Sequence, residues 1–381
     1  MIEKQTDVPQ GLESFDSVLD EIRRRRGEFA RQRYVPRDLI QRFKALGLFR
    51  ASAPARFGGE PMPPADFLER IETISAVDGS CGWVASFGAS LTYLAALPVD
   101  TQAEIYQNGP DVAFTAGVWP VHPATETASG RLLINGRWKF ASGSRTADLL
   151  GVGIPGDAGG KPRTAVLWPD QVEVVGDWNT IGLRGTGSFD LLVRNVEVPK
   201  EWTFVRGGQP TIDEPLYQYP LIAYAAQVLA VVNLGIARAA LEYAEAVGSG
   251  STGVTGAPRL ADRAYFRTEF AQAEAKLRSA RAFFYETTRE AWDTILTGDP
   301  VSDRQNAMLR LAATHAAKAG DQVVRDVYQL SGTAAIDDSH PVQELLRDAS
   351  VPPQHAFLTS AMYDASGAVL MGLEPTVPGF R

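Results

Sequence analysis

The residues whose types and spacing come nearest to a reactive site are the small-residue knot Ala141-Ser142-Gly143-Ser144. The knot closes a run with period-two alternation, Leu132, Ile134, Arg137, Lys139 and Phe140, which follows the turn Ser129-Gly130. Alternation bounded by turn residues predicts strands. A strand ending in Ser-Gly leaves a hydroxyl and bare backbone amides where a flat ligand can approach closely. An ordinary β-hairpin with a polar end fits the same residues equally well. The four histidines, His122, His315, His340 and His355, are not spaced with Cys, Asp or Glu as a metal set, so no metal is expected. His315 lies between alanines and reads as a polar packing residue, His340 precedes Pro341 and reads as a solvated loop residue, and His355 follows Arg347-Asp348 by a short interval.

Two further patterns are weaker. Cys81, in Asp78-Gly79-Ser80-Cys81-Gly82-Trp83, could be a low-pKa nucleophile at a helix start, but no histidine is near it in sequence and a small buried thiol is the better reading. Gly151-Val152-Gly153-Ile154-Pro155-Gly156 has the form G-x-G-x-x-G, which works only where it opens a helix whose amides meet a pyrophosphate. The following Asp157 to Pro162 cannot be that helix, so a dinucleotide fold is rejected.

The 381 residues suffice for two or three domains and a large core. Lysine and arginine total 37 against 45 acidic residues, a net charge of -8, which argues against nucleic acid or an anionic membrane as the main partner. The run Arg23 to Arg26 reads as a solvated or subunit-facing helix surface rather than a phosphate site. A single cysteine excludes a disulfide framework. The N-terminus lacks a signal-peptide pattern and no uninterrupted apolar run reaches the length of a membrane span, so a reducing cytoplasm is expected.

The positioning elements change character twice. From about Gly11 to Pro98 the apolar residues Leu19, Ile22, Phe29, Leu39, Ile40, Phe43, Leu46 and Leu48 recur at helical spacing, with further helices over Ala65 to Val77 and Cys81 to Leu97. Between Val112 and Val205, dense turn residues separate short β-branched runs such as Thr164 to Trp168, Val172 to Val175 and Leu191 to Val198, which predicts an antiparallel β domain. Helices resume from Leu216, apart from a Gly-Ser-Thr-rich loop at Gly248 to Gly256 and a loop near Asp337. The expected class is α+β in three domains: an N-terminal helical domain over 1–111, a middle β domain over 112–210 and a C-terminal helical bundle over 211–381.

Three segments together resemble the acyl-CoA dehydrogenase superfamily. They are Ile134 to Gly143, Gly182-Leu183-Arg184-Gly185-Thr186-Gly187-Ser188 running into Val193 to Pro199, and Tyr328 to Gly332 followed by Pro341 to Asp348. In that family a catalytic glutamate stands beyond the Arg-Asp pair, whereas here Ala349 to Thr359 holds His355 and no glutamate. The chain therefore resembles the flavin-dependent monooxygenases of this fold, with an acyl-CoA dehydrogenase or oxidase as the alternative. The resemblance implies reduced flavin (FADH2 or FMNH2) from a separate NAD(P)H-dependent flavin reductase, O2 as co-substrate, a flavin C4a-hydroperoxide, a small aromatic substrate and a homotetramer. It places Ser142 on flavin N5 and gives His355, as an imidazole titrating near neutrality, the task of stabilising or protonating the peroxide. Gly143, Thr186, Gly187 and Ser188 would approach the flavin, and Arg263 would reach the phosphate of a neighbouring subunit's flavin. Arg347-Asp348 itself reads as a structural ion pair rather than as catalytic. The phenol hydroxylases of this group carry a histidine base after the Gly-Trp-Val segment, and Ser90 is its approximate equivalent here. The missing base points to an indole-like or heteroaromatic substrate, with Trp83, Phe87, Tyr93 and Trp119 lining its pocket.

Overall fold

Val18, Leu19, Ile22 and Phe29 lie on one face of α1 (Phe15–Gln32) and are buried, while the opposite face carries ion pairs such as Arg23 to Asp20 and Arg25 to Glu28. This amphipathic helix opens the computed structural model, which describes residues 14–156, 160–250, 259–377, 379 and 380. Behind it come α2 (Arg37–Ala45), α3 (Pro64–Val77), α4 (Gly79–Ala85), α5 (Leu91–Leu94) and α6 (Val99–Ile105).

The stretch expected as one helix from Cys81 to Leu97 is broken, with a 3-10 segment over Ser86–Ser90 between α4 and α5. Side-chain hydroxyls explain the break. Ser86, Ser90 and Thr92 each donate to the carbonyl three residues back, at 2.6 to 2.7 Å, which competes with α-helical pairing. Gly88 also sits against the Leu48 carbonyl, where an added Cβ would approach to 2.2 Å.

Among the described residues eight strands follow: β1 (Phe114–Gly117), β2 (Ala124–Glu126), β3 (Leu132–Ala141), β4 (Leu149–Ile154), β5 (Arg163–Leu167), β6 (Glu173–Val175), β7 (Phe189–Val198) and β8 (Thr203–Val205). They form two four-stranded sheets, ordered β1-β4-β5-β8 and β2-β3-β7-β6. The second is antiparallel throughout. The first departs from the antiparallel expectation, because β1 and β4 run parallel, joined by the long β2–β3 excursion that a parallel pair requires. The Gly151 to Ile154 run lies in strand β4, paired with β1 and β5, in agreement with the rejection of the dinucleotide reading. Trp138 on β3 is fully buried and donates its indole N–H to the Gly153 carbonyl at 2.7 Å, which fastens the two sheets together.

The C-terminal part consists of α7 (Pro215–Gln218), α8 (Leu221–Ser249), α9 (Ala264–Leu296), α10 (Asp303–Leu330), α11 (Pro341–Ala349) and α12 (Ala361–Leu370). Helix α8 is its axis and packs against α3, α9, α10 and α11. It is long and apolar enough to cross a membrane, contrary to the expectation from sequence, but 78% of its apolar window is buried inside the protein. That is the environment of a core helix. Its Asn233 donates to the carbonyls of Ala317 and Ala349 at 2.7 and 2.9 Å, locking α8 to α10 and α11. The loop expected from Gly248 begins later, since α8 runs to Ser249, and residues 251–258 lie outside the described ones. His340, expected in solvent, instead takes part in a 2.9 Å hydrogen bond with the Tyr243 hydroxyl and caps α11, while His315 is exposed rather than packed.

Candidate functional site

Two register shifts bend β3 against β7, one of them between Trp138 and Ala141. A bulge re-aims the residues after it. Here Phe140 takes φ +62° and turns its ring outward, 68% exposed, while Ala141 and Ser142 turn inward and are buried. Gly143 follows at φ +73°, a left-handed conformation that glycine adopts without strain.

The inward turn delivers the Ser142 hydroxyl into a row of hydrogen bonds. The Trp83 indole N–H donates to Ser142 Oγ at 3.2 Å, Ser142 Oγ and Ser188 Oγ are 2.6 Å apart, and Ser188 Oγ is 2.9 Å from Thr186 Oγ1. Thr186 donates its only hydroxyl proton to the Leu183 carbonyl at 2.9 Å. Ser188 therefore donates either to Thr186 or to Ser142. In the first arrangement Ser142 donates to Ser188 and its oxygen can accept from a ligand. In the second its proton is free to be given to a ligand. The row serves either kind of partner.

The turn carrying Thr186, Gly187 and Ser188 is held from three sides. Leu183, at φ +48°, donates its N–H to the Asp348 carboxylate at 2.6 Å, Gly185 N–H donates to Ser80 Oγ at 3.1 Å, and Gly143 N–H donates to the Thr186 carbonyl at 2.8 Å. Gly187 sits at φ +56° against Tyr34, where a Cβ would approach the Tyr34 Cβ to 2.8 Å. The expected Arg347-Asp348 ion pair is corrected: Arg347 pairs with Asp338 at 2.7 Å, and Asp348 turns inward to the Leu183 amide. Burial, with Asp78 close by, holds the Asp348 carboxyl well above the usual carboxylate range. Burial likewise raises Asp78 to about 6 and pushes the Cys81 thiol up, so Cys81 is a structural thiol.

Trp83 also connects Ser142 to His355. The Trp83 and His355 rings meet edge to face at 6.1 Å, and His355 meets Phe357 at 5.1 Å. His355 Nδ1 accepts the Phe357 N–H at 3.2 Å, which leaves the proton of the neutral ring on Nε2. Desolvation, with the positive charges of Arg206 and Arg310, holds the imidazole down at about 4. This corrects the expected near-neutral value: at neutral pH His355 is an uncharged hydrogen-bond donor, not an acid poised to titrate.

Other expected site residues divide. Phe87 and Val84 flank Gly143 and line a small cleft with Phe49, Phe114 and Thr115. Tyr93 stacks on Phe204 at 6.3 Å and lies beneath the Arg206 guanidinium. Ser90 is not available to a ligand, because its hydroxyl is directed at the carbonyls of Phe87 and Phe114, 2.6 Å from each. Trp119 is corrected as well. It pairs with Lys139 through backbone and leaves its ring 62% exposed, outside the cluster. Arg263 stands at the start of α9 with no hydrogen bond or ring contact to Ser142, Trp83 or His355. The sequence reading missed Phe140, Trp178, Arg206 and Arg310. Arg310 alone carried a legible signal, a charge on the uncharged, small-residue stripe Ala307, Ala313, Thr314 and Ala317.

A flavin ring, the cofactor implied by the resemblance, fits these residues. Beside the Ser142 hydroxyl, the buried Ser144 hydroxyl has no hydrogen-bond partner, and neither does the Trp178 indole N–H, whose ring meets the exposed Phe140 edge to face at 6.4 Å. Flat aromatic surface and unpaired polar atoms suit a planar, polar-edged ligand.

Comparison with known proteins agrees with the layout. Residues 14–106 match the N-terminal domain of acyl-CoA dehydrogenases and residues 227–360 match their C-terminal domain. The chain is 50% identical over 372 residues to an indole-3-acetate monooxygenase of Pseudomonas putida, covering 96% of this chain and 95% of the relative. A protein of the same name from Acinetobacter baumannii is 44% identical, with 96% and 95% covered. Among solved structures, a 3-HSA hydroxylase from Rhodococcus sp. RHA1 superimposes with TM-score 0.87 at 22% identity, over 95% of this chain and 97% of that one.

Proposed function

Because the chain belongs to the acyl-CoA dehydrogenase family, on the branch of flavin-dependent monooxygenase oxygenase components, we propose that it oxygenates an indole-type aromatic molecule with reduced flavin and O2. A separate NAD(P)H-dependent flavin reductase supplies FADH2 or FMNH2. The carrying observation is the Ser142 hydroxyl, held by Trp83 and Ser188 and one ring away from a neutral His355 rather than a carboxylate base. Reduced flavin would supply the two electrons with which one atom of O2 enters the substrate and the other leaves as water.

Ser142 and Gly143 would hold the flavin's reactive edge, with Phe140 and Trp178 against its ring. Trp83 and Ser188 fix the Ser142 oxygen from two directions, so its remaining valence faces the ligand. His355, with its proton on Nε2, would donate a hydrogen bond to the bound group. The fully buried helix α4 keeps bulk water from it. The dehydrogenase alternative lacks an agent, since an imidazole held at about 4 is a poor base for a C–H proton. The reading extends to a homotetramer in the cytoplasm, with Arg263 reaching the flavin phosphate of a neighbouring subunit.

Chemically reduced FMN or FAD, the protein and indole-3-acetate are combined anaerobically and then mixed with isotopically labelled O2. One labelled oxygen atom in the indolic product is expected. Bleaching of oxidised flavin by an acyl-CoA, with no label incorporated, would refute the reading.

A further inference from the structure

Arg310 is a buried cation that pairs with no anion among the described residues. It is 1% exposed on α10, and its Nε and Nη1 atoms have no hydrogen-bond partner. Its Nη2 meets only the thioether of Met362, at 2.8 Å, and its guanidinium lies between the rings of Phe357 and Phe380, at 5.5 and 5.1 Å. Burial pushes it down to about 10, the opposite of what a carboxylate partner does. A second cation, the half-buried Arg206, lies over the other contacts of the same cluster, 5.7 Å from the Phe357 ring and 5.6 Å from that of Tyr93. Among the described residues no acidic side chain pairs with either. An unpaired buried charge is expensive, and folded chains keep one where a ligand completes the pair.

The position of the two guanidiniums is set by short steps from the reactive hydroxyl. Ser142 touches Trp83, Trp83 meets His355, His355 meets Phe357, and Phe357 meets both arginines. Resting on the proposed oxygenation of an indole-type ring, we infer that Arg310 and Arg206 form a carboxylate subsite, which selects an aromatic acid whose carboxylate lies a short tether from the ring being oxygenated. The ring would occupy the space beside Trp83 and His355, with the carboxylate taking two hydrogen bonds from unpaired guanidinium nitrogens. Arginine suits this task because its planar fork matches a carboxylate's two oxygens. A local pair of cations in a chain of net charge -8 also marks this cluster as a place where an anion is wanted.

The test reads binding to the flavin-free full chain by isothermal titration calorimetry, so it does not depend on turnover. Indole-3-acetate is compared with the neutral indole-3-acetamide in wild type, Arg206→Gln and Arg310→Met. The acid-to-amide affinity ratio should fall about 10- to 100-fold in each variant, the size expected for charge-assisted hydrogen bonds. Arg310→Met should also hold or raise the melting temperature, since it replaces an unpaired buried charge by an apolar side chain of similar length. A purely structural arginine would instead lower the melting temperature and weaken both ligands alike. An unchanged ratio in both variants overturns the subsite. If the ratio falls but no labelled oxygen enters indole-3-acetate, the oxygenation reading fails and the subsite stands. Equal KM for oxygenation of acid and amide sinks the subsite and leaves the oxygenation reading intact.

Discussion

Ser188, expected beside the flavin, also holds the Ser142 hydroxyl, and changing it to alanine should disturb catalysis through Ser142. The substitution removes the 2.6 Å contact to Ser142 Oγ and the 2.9 Å contact to Thr186 Oγ1. Thr186 keeps its bond to the Leu183 carbonyl, and Ser142 keeps the indole N–H of Trp83. With two neutral hydrogen bonds lost at about 0.5–1.5 kcal/mol each, the fold should weaken by about 1–3 kcal/mol. The functional loss is of another kind. Without Ser188, Ser142 has no internal acceptor for its proton and no second donor, so the hydroxyl is no longer fixed in direction. If alignment at the flavin edge weakens by the worth of one such bond, the share of O2 released as hydrogen peroxide should rise about two- to tenfold. The assay measures indolic product and hydrogen peroxide per NADH consumed with a flavin reductase present, beside the melting temperature. Ser188→Thr, which keeps the oxygen, should restore coupling even if the added methyl lowers stability. Unchanged coupling in Ser188→Ala, or equal uncoupling in both variants, would refute the relay argument.

Three further outcomes follow from the same geometry. Ser142→Ala should uncouple more severely than Ser188→Ala and weaken reduced-flavin binding, measured by anaerobic titration; tight coupling in that variant would remove Ser142 from the site. His355, at about 4 in the fold against an ordinary 6.5, binds fewer protons folded than unfolded between those values. Its contribution to stability is therefore full above about 6.5 and is lost as pH falls toward 4, and a difference titration of wild type against His355→Asn should show that window rather than an inflection at neutrality. Asp78, raised to about 6, has the opposite sign: the folded state holds its proton longer, so its contribution is lost as pH rises from about 4 to 6. Asp78→Asn keeps an acceptor for the Cys81 amide and should gain melting temperature relative to wild type at pH 8 but not at pH 4.

Much of this arrangement is legible in the residues because it depends on local pattern. Helical spacing in Val18, Leu19, Ile22 and Phe29 follows from one buried face, and the Ser-Gly knot at 142–143 is visible because glycine and serine are poor choices for a strand end that merely packs. What escaped depends on partners far along the chain. The parallel pairing of β1 with β4 is decided by where the chain returns after β3, and no feature of Phe114 to Gly117 announces it. The break at Ser86–Ser90 depends on each hydroxyl choosing the carbonyl three residues back over solvent, which burial of the segment forces. Ser90 failed as a pocket residue for the same reason, its proton being committed to backbone. Trp119 failed because aromatic character says nothing about which side of a sheet edge a ring will take.

Arg310 separates what a sequence hides from what it shows in a form easily passed over. On α10 the positions three and four residues to either side, Ala307, Asn306, Ala313 and Thr314, give a stripe whose members at 307, 313 and 314 are fully buried, and the arginine falls in the middle of it. A cation there either reaches water along its own stem or meets an anion. The fold closes the first route with Phe357, Phe380 and Met362, and the described chain supplies no acid for the second. Methionine at 310 would pack the same volume without an unpaired charge, so stability alone does not account for the residue. The difference between those two side chains is therefore best assigned to what binds, and it is the reason a gain in melting temperature accompanied by a loss of acid selectivity in Arg310→Met is the result that argues most directly for function.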